Sequence, residues 1–213
     1  MCFSRAKVHQ GAPLDQNRVN ELIEKYAVTE AEIDKCWRAF VELDSSGDGF
    51  IEREDLFRGL QQKKHYVAEY FFNAIGFKPG VPVQLETLFD PLFSFMLLWR
   101  SQIIQIVFDE LDTEGTGWIQ NAEMQHRMSK FLNVDAYSQI SSSIQQCVED
   151  ADADSNGQIV LSEFTTLVNK LPRLLLPIFQ MQVALQNATL GRRVWENKIE
   201  AAILADQVRF PQS

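Results

Sequence analysis

Oxygen-bearing residues stand at fixed steps along one stretch of this chain: Asp152, Asp154, Asn156, Gln158 and Glu163, at positions 1, 3, 5, 7 and 12 of a twelve-residue segment with Gly157 sixth and Ile159 eighth. A hard cation such as calcium takes six to eight oxygens at about 2.3–2.6 Å, and twelve residues can present that many only if the chain reverses sharply. Gly157 permits the positive φ of such a reversal. Position 7 ligates through its backbone carbonyl, and Glu163, on the first turn of the next helix, is long enough to reach back with both oxygens.

The same spacing occurs twice more. At 44–55, Asp44, Ser46, Asp48, Phe50 through its carbonyl, Glu52 and Asp55 occupy positions 1, 3, 5, 7, 9 and 12, with Gly49 sixth and Ile51 eighth. Asp55 is one methylene shorter than glutamate, so a two-oxygen grip is harder. Weaker calcium binding is expected there, or a site that tolerates the smaller, six-coordinate Mg2+. At 112–123, Asp112, Glu114, Thr116, Trp118 through its carbonyl, Gln120 and Glu123 fill the corresponding places, with Gly117 sixth and Ile119 eighth. Up to three Ca2+ sites follow. The turn Gly76–Val83 falls where a further loop is due but carries no carboxylate ligand, and Lys78 would repel a cation. It reads as a pairing loop without metal, with an ordinary connector as the alternative.

Helices must hold these loops. Thr29-Glu30-Ala31-Glu32 has the form of a capping box, so a helix is expected over 30–43 with Ile33, Cys36, Phe40 and Leu43 on one face. Val19, Leu22 and Ile23 mark an earlier helix near 17–26, and further helices are expected at 67–75, 85–89, 102–111 capped by Ser101, and 136–151 carrying Ile140, Ile144 and Val148. The loops begin at 44, 76, 112 and 152, an internal repeat.

Over about residues 30–170 this pattern resembles the EF-hand superfamily in its four-motif, calmodulin-like arrangement, with a degenerate second hand. The resemblance implies an all-α fold of two hand pairs, each joined by a short antiparallel β contact between the position-8 residues: Ile51 with Val83, and Ile119 with Ile159. The expected domains are a leader and helix (1–28), pair one (29–98), pair two (99–171) and a C-terminal helical extension (172–213). Coelenterate calcium-regulated photoproteins share the order of active and silent loops, and sarcoplasmic calcium-binding proteins are similar in size. The three histidines His9, His65 and His126 and the ending Phe210-Pro211-Gln212-Ser213 do not match the luciferin-holding residues of photoproteins.

A formal charge of −9 argues against a nucleic-acid partner, which needs clustered Lys and Arg. Cys2, Cys36 and Cys147 form no metal or disulfide motif, so a reducing, cytoplasmic setting is expected, with cytoskeletal or ciliary association open. The N-terminus lacks the apolar core of a signal peptide. The apolar run 92–99 is under half the ~20 residues that span a bilayer, so no transmembrane segment is expected. In the extension, helices are expected at 178–190 and 192–206, the second with Trp195, Ile199 and Ala202 facing one way. It either docks on the protein's own body or presents Trp195, Arg192 and Arg193 to a partner. No nucleophile, phosphate loop or His–carboxylate cluster appears, so binding rather than enzymatic activity is expected. A calcium sensor or adaptor acting on a protein partner is the favoured role. A cytosolic calcium buffer and a constitutive subunit of a cytoskeletal, ciliary or organellar assembly are the alternatives.

Overall fold

The computed structural model describes residues 14–133 and 139–209. The leader before residue 14, the start of the helix expected from 136, the side chain of Ile140 and the last four residues lie outside them. The described chain is all-α with two short two-stranded sheets. In order it runs α1 (Gln16–Tyr26), α2 (Glu30–Leu43), β1 (Phe50–Ile51), α3 (Arg53–Gly59), α4 (Tyr66–Ala74), β2 (Val83–Gln84), α5 (Phe89–Leu97) and α6 (Arg100–Leu111). Then come β3 (Trp118–Gln120), α7 (Asn121–Phe131), α8 (Gln139–Glu149), β4 (Gln158–Val160), α9 (Leu161–Lys170), α10 (Leu176–Ala188) and α11 (Arg192–Arg209). No single helix among them is long and apolar enough to cross a membrane.

Contacts divide these elements into two compact units that do not follow chain order. One takes residues up to Lys63, Gly76–Leu97 and Gln182 onward; the other takes Lys64–Ile75 and Leu98–Met181. The helix before the silent loop, α4, therefore belongs with α6 and α7 in the second unit. The extension is shared: α10 contributes its residues up to Met181 to the second unit and the rest to the first.

In the first unit, α2 starts at the expected capping box. The Thr29 hydroxyl accepts from the Glu32 amide at 3.3 Å, and Glu32 accepts from the Thr29 amide at 2.8 Å. Two otherwise orphan helix donors are thus satisfied. Ile33, Cys36, Phe40 and Leu43 are all buried, as their spacing requires. Burial pushes the Cys36 thiol up to about 12, so it stays a neutral core residue. On α1 the buried face is Val19, Leu22 and Tyr26; Ile23 is exposed, because Tyr26 completes the stripe one turn after Leu22.

The core of this unit is a chain of edge-to-face aromatics: Phe40 on Phe89, Phe89 on Phe93, and Phe93 on Trp195, with centroids 5.1–5.2 Å apart. Such contacts add to burial because the electropositive ring edge meets the electronegative face. The extension thus docks on α5. Near the end of α5, whose last carbonyls have no intrahelical partner, the Gln182 and Gln186 amides donate to the Phe95 and Met96 carbonyls, each at 2.8 Å. Trp195 is fully buried and donates its indole N–H to Thr189 at 3.0 Å. The expected common face of α11 is narrower than its spacing implies: Ile199 is half-buried and Ala202 exposed.

Two local expectations change. The segment from Leu85 to Leu88 is a 3₁₀ turn that runs into α5, so most of the apolar run 92–99 lies inside a buried helix ending at Leu97. Ser101 does not cap α6. Trp99 takes the cap position, and the Gln102 side chain accepts its amide at 3.1 Å.

Asp90 on α5 ties α1 to this core. Its carboxylate pairs with Arg18, accepts from Lys25 at 2.7 Å and from the Tyr26 hydroxyl at 2.8 Å. Partial burial works to raise its pKa, but the three donors outweigh it and hold the carboxyl far below the usual range. A depressed carboxyl contributes stability that is full above its unfolded pKa of about 4 and fades as pH falls below it. Asp90→Asn is therefore expected to lower unfolding stability by about 1–2 kcal/mol at pH 7, allowing for the partly exposed pairs. In urea melts at pH 7 and pH 3 the gap to the parent should shrink at the lower pH. Trp195→Ala should cost about 3–5 kcal/mol as a buried aromatic truncation, and a loss below 1 kcal/mol would mean the extension does not close this core.

Candidate metal centre

Each of the three carboxylate-bearing loops is organised by the aspartate at its first position, which gathers amides from the turn after it. Asp44 accepts from Gly47 at 2.7 Å and Gly49 at 2.9 Å. Asp112 accepts from Thr116 at 3.0 Å and Gly117 at 2.6 Å. Asp152 accepts from Asn156 at 3.1 Å and Gly157 at 2.9 Å. The sixth-position glycines make this possible, with φ of +85° at Gly49, +82° at Gly117 and +80° at Gly157. These amides leave Asp44 and Asp112 more acidic than a free aspartate although burial pulls the other way. In Asp152 the largest cause of the same shift is a hydrogen bond from Asn121.

The loops meet in pairs. β3 and β4 are antiparallel with Ile119 opposite Ile159 and Trp118 opposite Val160. β1 and β2 pair likewise, with Ile51 opposite Val83, so the loop without carboxylates retains the strand that its position implies. Ile51, Ile119 and Ile159 are buried, which fixes the register, because a one-residue slip would turn each outward.

The geometry of the second unit is thus two helix–loop–helix motifs back to back, joined at their eighth positions. Residues 100–168 match the family model of an EF-hand domain pair. The matched span holds the third and fourth loops, and the family implies calcium binding there. No curated protein matches the chain.

Within the matched span the two loops differ. In the fourth, the carboxylates of Asp152, Asp154 and Glu163 converge, with oxygens all within 4.8 Å of one another, the one such acidic group among the described residues. Glu163 turns inward: its two oxygens accept from the Ala153 amide at 2.8 Å and the Val160 amide at 3.1 Å. Asn156 also faces the group, its side-chain amide 2.8 Å from Asp154. Three converging carboxylates repel one another unless positive charge lies among them, so this donor set fits a divalent cation. Gln158 would add its carbonyl, and Val160 at position 9 leaves that place to water.

In the third loop a cleft of about 280 Å³ is lined by Asp112, Glu114, Thr116, Trp118, Gln120 and Glu123. The Thr116 hydroxyl lies 3.1 Å from Asp112 and 2.9 Å from the Trp118 carbonyl. Glu123, however, is half-exposed and takes Arg127 at 2.9 Å. The first loop is similar in this respect. Asp55 accepts from the Ser45 hydroxyl at 2.9 Å, the Glu52 amide at 3.0 Å and Arg58 at 3.2 Å. Asp48 accepts from the Phe50 amide at 2.9 Å, and the Ser46 hydroxyl donates to Asp44 at 2.9 Å.

Three participants escape a reading by ligand spacing: Arg58, Arg127 and Asn121. Asn121 sits at position 10 of the third loop and donates to Asp152, the first residue of the fourth, at 2.7 Å. Its backbone amide also reaches the Gly157 carbonyl at 3.0 Å. Position 10 carries no ligand signature; only the strand pairing brings it across.

Glu163 is the side chain of the fourth loop that would grip a metal with two oxygens, and Glu163→Gln replaces one of them with an amide nitrogen. Calorimetric titration with calcium is expected to show one site fewer than the parent chain, and an unchanged stoichiometry would refute the assignment of this loop.

Proposed function

We propose that this protein is a calcium sensor or adaptor, with metal held at 152–163, 112–123 and 44–55 and a silent hand at 76–83 in a four-motif arrangement. The observation that carries calcium as the ligand is the convergence of Asp152, Asp154 and Glu163 in a loop turned by Gly157. The four-motif reading is supported by the antiparallel contact of Ile51 with Val83. The shorter Asp55, with its smaller reach, favours Mg2+ as an alternative occupant of the first loop.

Bound calcium supplies the positive charge that lets the carboxylates of a loop close on a common centre. The chain does the rest. Glu163 lies in the first turn of α9, while Phe164, Leu167 and Val168 of that helix are buried in the core of the pair. A displacement of the Glu163 backbone on metal binding would therefore carry α9 with it against that packing. In the same unit a largely apolar groove of about 460 Å³ is lined by Leu132, Ile144, Cys147, Leu171 and Pro172 together with Lys170 and Arg173. Its lining comes from α8, the end of α9 and the segments after α7 and α9, so it is sensitive to that motion, and its apolar lining with two cationic residues suits an amphipathic helix with acidic flanks. The role is binding and not catalysis, since the carboxylates serve as ligands and pins.

The test is a calcium titration of the full chain, followed by calorimetry and by a dye that fluoresces on apolar surface. Binding in the range of about 10⁻⁷–10⁻⁵ M, typical of sensors, with a rise in dye signal is expected. Tight binding without the rise would make the protein a buffer, and no binding at any loop would leave it a structural subunit.

A further inference from the structure

The loops compare directly at one point: what the twelfth-position carboxylate touches. In the fourth loop Glu163 accepts only loop amides among its described hydrogen bonds, and the residues three and four further on are Thr166 and Leu167. In the third loop the residue four further on is Arg127, whose guanidinium donates to Glu123 at 2.9 Å. In the first, Arg58 stands three beyond Asp55 and donates to it at 3.2 Å. The carboxylates gather only where no arginine occupies that place.

Arg127 is more than a surface partner. Its side chain is about one-fifth exposed, and its other terminal nitrogen donates to the Tyr70 hydroxyl at 3.3 Å. Tyr70 in turn donates to the Glu110 carbonyl at 2.5 Å, which leaves its oxygen free to accept from Arg127. The Tyr70 ring packs on Phe131 with centroids 5.7 Å apart, so the phenol has a fixed place. A guanidinium that is partly buried and anchored at both ends loses less entropy in pairing than a free surface arginine, and its pair is worth more.

A two-oxygen grip on calcium needs both carboxylate oxygens of position 12; both of Glu163's accept only amides of their own loop, whereas one of Glu123's is held by the Arg127 guanidinium outside the loop. We propose that Arg127 is an intramolecular rival of calcium for Glu123, and that this pairing makes the third loop the weaker site of the EF-hand pair. The proposal rests on calcium being the ligand of these loops. Because arginine does not deprotonate in proteins, raising the pH does not lift the rivalry. It adds to the differing ligands at positions 3, 5 and 9 and separates the pair into one site that fills first and one that fills at higher calcium.

Site-resolved affinities test this. The sixth-position amides of Gly49, Gly117 and Gly157 each belong to one loop, so calcium titration of the isotope-labelled full chain by amide NMR reads the three loops separately. In the parent protein Gly117 should respond at higher calcium than Gly157. Arg127→Gln is expected to tighten the Gly117 response about three- to tenfold. Arg127→Lys, which keeps a charge four residues from Glu123 but not the fork that also engages Tyr70, should fall between the parent and Arg127→Gln. Tyr70→Phe, which frees Arg127 without altering charge, should tighten the third loop by a smaller factor, and it provides the test if Arg127→Gln fails to fold. Lys130→Gln controls for net charge on the same helix. A change in Arg127→Gln no larger than in Lys130→Gln overturns the proposal, as does a parent in which Gly117 responds no later than Gly157. If none of the three amides responds to calcium, the calcium reading itself fails.

Discussion

Carboxylates brought within 4.8 Å of one another repel, and each loop of this protein is a different answer to that repulsion. Amides of the turn absorb part of it at the first-position aspartates, Asp44, Asp112 and Asp152, which stay ionised more readily than free aspartate. What remains falls on the twelfth position. Asp55 and Glu123 are relieved by arginine on the following helix, whereas Glu163 is turned into its loop beside two further carboxylates, Asp152 and Asp154. The unrelieved loop is the one with most to gain from a divalent cation.

That electrostatic arrangement depends on rigid supports, and the hydrophobic core supplies them. Buried isoleucines at the eighth positions hold paired loops in one register. Behind them, Phe164, Leu167 and Val168 anchor α9, and Phe108 of α6 packs on Phe164 with centroids 5.7 Å apart. In the first unit the aromatic series from Phe40 to Trp195 performs the same service, closed by a segment far along the chain. Its polar fastenings, Gln182 and Gln186 on the last carbonyls of α5, use groups that the helix end cannot satisfy itself.

Much of this is legible in the amino-acid order, and the physical reason is locality. The Thr29–Glu32 box, the stripe from Ile33 to Leu43 and the pairing of Ile51 with Val83 follow from spacing over a few residues or from one repeat. Ser101 looked like a cap because hydroxyl residues often are, yet Gln102 supplied the acceptor from the third helical position and moved the start back to Arg100. Ile23 lost its place to Tyr26 through a partner 64 residues away, Asp90, which draws the phenol to α5. Asn121 reaches Asp152 only through a strand pair. The membership of α4 in the second unit likewise rests on contacts between its aromatic side chains and α7, with Tyr66 on Phe131 at 5.8 Å.

The same distinction explains why the ligand pattern alone does not rank the loops. Spacing states which oxygens a loop owns, but not whether they are held by amides of that loop, as both of Glu163's are, or by a cation outside it, as one of Glu123's is. On a helix, the residues three and four beyond a given position lie over the same face, so the neighbours of position 12 are chosen by whatever else that face must do. After Glu163 the fourth residue on is Leu167, fully buried and committed to the core. After Glu123 the corresponding residue lies at the margin of the core, where Arg127 can lay its stem against the protein and its head between Glu123 and Tyr70. The division of the pair into one gathered and one relieved loop therefore follows from where α7 and α9 meet the core. The ligand sets differ as well, with Glu114, Thr116 and Gln120 at positions 3, 5 and 9 where the fourth loop has Asp154, Asn156 and Val160.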